Sequence, residues 1–377
     1  MPNQPMPFYV KLCCSLISIL LITYILYVGQ HILIPLAFAS LFTIILIGPC
    51  MYFEKRGVPK GIAALISMLL AATLFFFIFY FISSQISSFK NDLPALVKQL
   101  QAGVLDVQDW AVKTFRISSS KFQEVVNSAT NEAFLNTSAL LSSTFSTVSS
   151  TLVLMVLVPI YTFLLLLYRN LIVKFFVACF KPEHEKLVFT VLHKTRLVVK
   201  GYVVGLFIEM IIVAVINCTG FLILGVKYAL LLGVIAAILN LIPYLGIFTA
   251  CILTVLITLT TNTPATVLSA AIMLIGVHLI DSNILLPKIV GSKVKLNALV
   301  TIIGVIAGSA LWGIPGMFLA IPIIAVLKVL FDEVQSLNAW GMLLGEEEKP
   351  AKKKKSTGLF SWFMRKDGKK KIMNKEE

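Results

Sequence analysis

A chain of 377 residues that is 58% hydrophobic and only 13% charged does not have the composition of a soluble globular protein, in which about 25% of residues are charged. Its net charge of +14 is concentrated near one end, where eleven Lys and Arg stand against three acidic residues from Lys349 onward; that pattern suits an anionic membrane surface before it suits nucleic acid. Cys13, Cys14, Cys50, Cys179, Cys218 and Cys251 have neither C-x-x-C nor metal-type spacing, so they read as small hydrophobes, and no metal or cofactor is expected.

Residues 8–27 and 32–53 are two apolar runs of the length that crosses a bilayer, about 20 residues, joined by the short turn Gly29-Gln-His31. The first lacks a basic n-region and a small-residue cleavage site, so it is expected to remain as a helix. Lys55, Arg56 and Lys60 in the next loop set that loop, and with it the N-terminus, on the cytoplasmic side by the positive-inside rule. Residues 61–82 then cross outward. Between 83 and 150 the composition turns polar, and Leu93, Val97, Leu100, Val104, Val107 and Ala111 recur at steps of four and three. Phe122, Val125, Val126 and Ala129 begin a second such stripe. The pattern predicts a helical hairpin outside the membrane, used for subunit or self-packing or else for gating.

Residues 151–168 form the fourth span, with Pro159 near its middle, and Arg169, Lys174, Lys181, Lys186, Lys194, Arg196 and Lys200 follow as a second basic, cytoplasmic loop. The fifth span covers 201–224. The apolar run 228–259 is broken by Pro243-Tyr-Leu-Gly246, residues 265–287 make the next long helix, and the run 299–330 is broken by Gly313-Ile-Pro-Gly316. Long helix, broken hairpin, long helix, broken hairpin, with the two long helices oppositely directed, is the pattern of an inverted repeat whose breaks flank a transport site. Irregular backbone at membrane depth is tolerated only where protein buries it or where it lines a cavity. Two ordinary kinked helix pairs are the alternative, since Gly and Pro are common in membrane helices.

His278 and Asp281 lie three apart on an otherwise apolar helix and so share a face, with Asn283 and Pro287 following where that helix is expected to end. Ionisable groups inside a bilayer are costly and usually face a bundle interior or a wet cavity, which makes the pair a candidate site. The competing reading has Asp281 capping the helix at the membrane surface and His278 bonding a backbone carbonyl. Glu209 stands mid-way along the fifth span, as either a proton carrier or a partner in a helix-helix hydrogen bond. Asn217 is eight residues on, within about 80° of it around the helix, and Asn240 precedes the Pro243 break; a structural hydrogen bond is the plainer reading for both. No P-loop, H-E-x-x-H or G-x-S-x-G string occurs, and Ser292-Lys-Val-Lys295 lacks the partner motifs of a serine enzyme, so no enzyme is expected. Phe360, Trp362, Phe363 and Met364, set among lysines near the end, suit a segment lying in the headgroup region or an ordinary solvated tail.

Several strings, in order and spacing, resemble the autoinducer-2 exporter family, the PerM-like permeases of bacterial inner membranes. They are Pro159-Ile-Tyr-Thr-Phe-Leu, Gly201-Tyr-Val-Val-Gly205, Gly225-Val-Lys-Tyr-Ala-Leu-Leu-Leu-Gly233 leading into Asn240-Leu-Ile-Pro-Tyr-Leu-Gly246, Asp281-Ser-Asn-Ile-Leu-Leu-Pro-Lys-Ile-Val-Gly291, and Gly308 through Gly313-Ile-Pro-Gly-Met-Phe-Leu-Ala-Ile-Pro322. The resemblance implies a transporter without a nucleotide-binding domain, exporting autoinducer-2 or exchanging sodium or lithium for protons, and assembled as a homo-oligomer. One departure is Leu206, where the family pattern has a polar residue, often Gln; an acid stands instead at Glu209.

The expectation is therefore an all-α, polytopic inner-membrane protein with about eight membrane segments, two Pro/Gly-broken hairpins in an inverted-repeat arrangement, and both termini cytoplasmic. Its parts would be N-terminal membrane helices (1–82), an extracytoplasmic helical insertion (83–150), a fourth span with a basic loop (151–200), a transport core (201–335) and a basic tail (336–377). Asp281 and Glu209 would carry a proton or cation, helped by His278, and Asn283 and Asn240 would contact the solute. Pro243, Gly246, Gly313, Pro315 and Gly316 would shape the hairpin tips. The expected partners are the lipid bilayer, a small-molecule or ion substrate and further copies of the chain, with no role for nucleic acid; a non-transporting membrane scaffold is the alternative in a different class.

Overall fold

The computed structural model describes residues 7–85, 154–241, 245–291 and 296–345. The expected extracytoplasmic hairpin, the basic tail and Pro243 lie outside the described residues. Among the described residues ten α-helices follow in chain order: α1 (Phe8–Val28), α2 (Gln30–Lys55), α3 (Lys60–Gln85), α4 (Leu154–Ala178), α5 (Glu185–Ile223), α6 (Ala229–Leu239), α7 (Leu245–Thr261), α8 (Pro264–Ile280), α9 (Ala298–Glu333) and α10 (Asn338–Leu344). The chain of α8 continues as π-helical turns over Asp281–Leu285 and Pro287–Gly291. No strand occurs among the described residues, whose only bridge joins Leu296 to Gly345.

Among the described residues seven helices are long and apolar enough to cross a membrane, one of them, α9, being two arms joined across a break at Gly313, and α6 and α7 are shorter apolar helices. The surface fits that reading: α1 buries none of its residues, and Leu69, Leu70, Phe76, Phe77 and Phe79 of α3 are all exposed. Water would not tolerate such a continuous apolar surface; lipid does. The protein is an all-α, polytopic membrane protein.

Helix ends depart from the hydropathy pattern in one place. The basic stretch expected as a loop is mostly helical, because α4 runs on past Arg169 to Ala178 and α5 starts at Glu185. Lys and Arg are good helix formers, so polarity ends the membrane span there without ending the helix. The break comes at Lys181-Pro182, where proline opens a short 3-10 turn that leads into α5.

The long helices α5 and α8 run antiparallel. Gly220 lies against Met273, Val213 packs with Val277, and Glu209 faces Asp281. Between them, α6 returns along α5 so closely that a Cβ on Gly233 would strike the backbone of Cys218. Asn262, just past α7, donates from Nδ2 to the carbonyl of Gly225, just before α6, at 3.0 Å, so both ends of the α6–α7 hairpin lie on one side of the bundle. Its first arm has only 11 residues, about 16 Å of helix against a hydrocarbon core of about 30 Å. The hairpin turns back beside Asp281, with Gly246 seated directly on the Leu239 carbonyl.

The second hairpin lies within α9. Gly313 has φ 62° and ψ −140°, a left-handed break that glycine adopts without a Cβ penalty. The two arms fold onto each other with Gly308 against Gly316 and Gly304 against Ile324. Near the break, Trp312 donates from Nε1 to the Leu26 carbonyl of α1 at 2.9 Å, and Phe318 stacks on Phe38 of α2 with centroids 5.7 Å apart. At the other end, ion pairs join Glu54 of α2 to Arg169 of α4 and Lys194 of α5 to Glu333 of α9. These pairs bring the basic segments to one side, called the basic side below.

Candidate functional site

Glu209 sits in the middle of the membrane-crossing part of α5, nine residues or about 13 Å beyond Lys200 and fourteen residues or about 21 Å short of Ile223. It is 4% exposed, and Asn217, about two turns further along the same face, is 2% exposed. Asn240 is the C-cap of α6, held where the α6–α7 hairpin turns back. Asp281, 3% exposed, sits where α8 widens into a π-helical turn. Such turns recur at functional sites because the extra residue frees backbone groups and re-aims side chains.

The hairpin tip and the two long helices meet at these residues. Asn240 donates from Nδ2 to Asp281 Oδ2 at 2.7 Å, and the Glu209 carboxyl faces the Asp281 carboxyl from the opposite helix. A cavity of ≈ 10 Å³ opens between α5, α6, α7 and α8, lined on its polar side by Asn217, Asn240, His278 and Asp281. That is room for about one water molecule. Four buried side-chain atoms here have no protein partner: Glu209 Oε2, Asn217 Oδ1, His278 Nδ1 and Asp281 Oδ1. Unpartnered polar atoms in a protein interior are rare and call for a bound group. Three of the four are oxygens that accept, and neutral imidazole Nδ1 accepts in one tautomer, so the complement is a hydrogen-bond donor or a small cation.

The structure thus brings together Glu209, Asn240, His278 and Asp281 and adds Asn217, whose signal in the sequence was its spacing of eight from Glu209. Asn283 is elsewhere: it is exposed, and its Nδ2 bonds the Leu279 carbonyl of its own helix at 2.8 Å. Two residues from Asp281 along a helix is about 200° around it, and Asn283 does not line the cavity. Ser282 likewise bonds back to the carbonyl of His278. Gly246 is buried at the first tip, whereas Gly313, Pro315 and Gly316 shape the second tip and do not line the cavity. The second hairpin reaches the site one layer out: Trp312 and Leu319 pack with Leu241 into the apolar cluster of Tyr202, Val203 and Leu206 on the basic side of Glu209.

Two buried carboxyl groups meet beside the tip of the α6–α7 hairpin, between the antiparallel long helices α5 and α8, an arrangement of the kind found in membrane transporters. The family model described as AI-2E family transporter matches residues 16–336, and the chain belongs to that family. Among its relatives is "Putative transport protein YueF" of Bacillus subtilis (strain 168), 30% identical over 321 residues, covering 79% of this chain and 85% of that protein. "Putative transport protein YhhT" of Escherichia coli (strain K12) is 22% identical over 343 residues, 91% of this chain and 96% of that protein. "Putative permease PerM" of the same organism is 27% identical over 189 residues, half of this chain and 52% of that protein.

Proposed function

We propose that the protein is a secondary transporter in which Glu209 and Asp281 take up a proton or a small monovalent cation and couple it to movement of a solute. The observation that carries this reading is the pair of facing carboxyl groups at mid-depth, surrounded by unpartnered acceptors. Two carboxylates in contact repel, and a proton or cation between them removes that repulsion; the pair binds and releases its ion as a unit. Occupancy changes the charge met by the Asn240 amide, which links ion binding to the α6–α7 hairpin. With the basic side cytoplasmic by the positive-inside rule, the described N-terminal helix starts in the cytoplasm of a bacterial inner membrane. In the family reading the solute is a small polar signal of the autoinducer-2 type, and the assembly is a homo-oligomer. A second reading, exchange of sodium or lithium for protons, is favoured by the cavity, which is sized for an ion and not for a sugar-like molecule.

Purified protein in proteoliposomes, given first a pH gradient and then a sodium gradient, tests this. Autoinducer-2, sodium and lithium are followed in parallel in the native chain and in the double variant Glu209→Gln/Asp281→Asn. Flux that follows one of the gradients and is lost in the double variant is expected. Flux indifferent to both gradients would make the protein a passive channel, and no flux from folded protein would make it a scaffold; either outcome overturns the coupled mechanism.

A further inference from the structure

The short helix α10 closes the basic end of the second hairpin. It follows the outgoing arm of α9 after a brief 3-10 turn at Gln335–Leu337, and Gly341 packs so tightly on Asp332 of α9 that a Cβ there would overlap the Asp332 side chain. Its other end returns to the incoming arm: the Asn297 amide donates to the Leu344 carbonyl at 3.0 Å, and Gly345 bridges to Leu296. One seven-residue helix thus ties together both ends of the hairpin. Its outer face is apolar and unpartnered, with Trp340, Met342 and Leu343 exposed by 58%, 79% and 59%. The position is the basic side, beside Lys194 and Lys328.

We infer that α10 is a membrane-surface foot, lying in the headgroup layer of the basic-side leaflet and held there by anionic phospholipid. Two observations select this occupant. Trp340 with Met342 and Leu343 is the composition of an interfacial anchor, an apolar body at the level where water begins. The chain that continues from Gly345 reaches, after Glu346-Glu347-Glu348, the run with eleven Lys and Arg against three acids, including Lys352-Lys-Lys-Lys355 and Lys369-Lys-Lys371. A polybasic run next to an apolar anchor is the pairing that makes surface binding depend on anionic lipid, because neither signal alone holds firmly. The consequence is mechanical: lipid that seats α10 also holds the two ends of the second hairpin together. The inference rests on the clasp, its exposed face and the basic run that follows it in sequence, not on the identity of the transported solute or ion.

The test uses the full chain with its six cysteines replaced and Met342→Cys carrying an environment-sensitive fluorophore, reconstituted in vesicles of phosphatidylcholine alone or with phosphatidylglycerol added. The expected result is a blue-shifted emission, quenched by shallow brominated lipid, in the vesicles containing phosphatidylglycerol. The shift is expected to be lost in pure phosphatidylcholine, in detergent, and in a second protein in which Lys352 to Lys355 and Lys369 to Lys371 are changed to Gln. A probe that stays in water in both vesicles overturns the inference. So does a shift that survives neutralisation of the lysines, or one already present in detergent, which would mean that another protein surface covers α10.

Discussion

The close approach of the two α9 arms makes a quantitative claim about stability. A Cβ on Gly316 would lie 2.7 Å from the Gly308 carbonyl carbon and 2.9 Å from Trp312 Cβ, the first of these 0.7 Å short of the 3.4 Å at which ordinary contact begins. Relief requires the arms to part, since the obstruction is backbone and not the end of a flexible side chain. Overpacking of this kind costs about 1–3 kcal/mol. The right control is Gly276→Ala in α8, where an added Cβ meets nothing within 4 Å. Both substitutions carry the same gain of about 0.5–1 kcal/mol in helix preference, so it cancels between them and leaves the packing cost alone. Thermal unfolding in one detergent should place Gly316→Ala below Gly276→Ala, by less per kcal/mol than the roughly 2–4 °C of a 150–250-residue protein because this chain has 377 residues. Gly308→Ala should behave like Gly316→Ala, because its Cβ would meet the Gly316 carbonyl carbon at 2.9 Å. Equal melting temperatures for the Gly316 and Gly276 variants would refute the folded-back hairpin.

Three further outcomes follow from single contacts. Asp281→Asn retains an acceptor for the Asn240 amide and should keep near-native stability while coupled flux disappears, whereas Asp281→Ala leaves that amide unpaired and should lose about 1–3 kcal/mol as well; full coupled flux in the Asn variant would remove the carboxylate from the mechanism. Asn283→Ala, at an exposed residue that bonds only its own helix, should leave both the rate and the apparent affinity of transport unchanged in the proteoliposome assay. Arg169→Ala strands the half-buried Glu54 carboxylate beside Cys50 and should destabilise by about 1–3 kcal/mol, most of which a second change, Glu54→Gln, should restore in a double-mutant cycle.

Much of this architecture was legible in the sequence because bilayer thickness imposes a length on helices, and hydropathy reads that length directly. The long helices α1 to α5 and α8 fall where apolar runs place them, and α9 breaks at Gly313. What hydropathy does not read is helix continuity outside the lipid, which is why the basic stretch around Lys186 to Lys200 looked like a loop and is the first half of α5. Glu209 and Asp281 stood out because an ionisable residue in an apolar run is conspicuous. Asn217 did not, since a lone Asn on a membrane helix is most often a helix-helix hydrogen bond; only its unpartnered Oδ1 facing the cavity reveals more. Asn283 is close to Asp281 in sequence, yet it is exposed and bonds the Leu279 carbonyl of its own helix.

The depth of the first hairpin was beyond the reach of loop charges, because a hairpin that turns back half-way and one that crosses fully leave their ends on the same side. The bond from Asn262 to Gly225 fixes the ends of the hairpin together, and the bond from Asn240 to Asp281 fixes its tip beside the carboxyl pair. They also explain why the break and the carboxyl groups coincide. A helix that ends at mid-depth exposes peptide groups that lipid cannot solvate, and a buried carboxyl pair needs polar company for the same reason. Placing both at one level lets a single small polar pocket serve both needs. Polar groups set at a different depth from the break would each have required a pocket of their own. Asn240 is the joint between the two requirements: its backbone ends α6 and its side chain bonds Asp281.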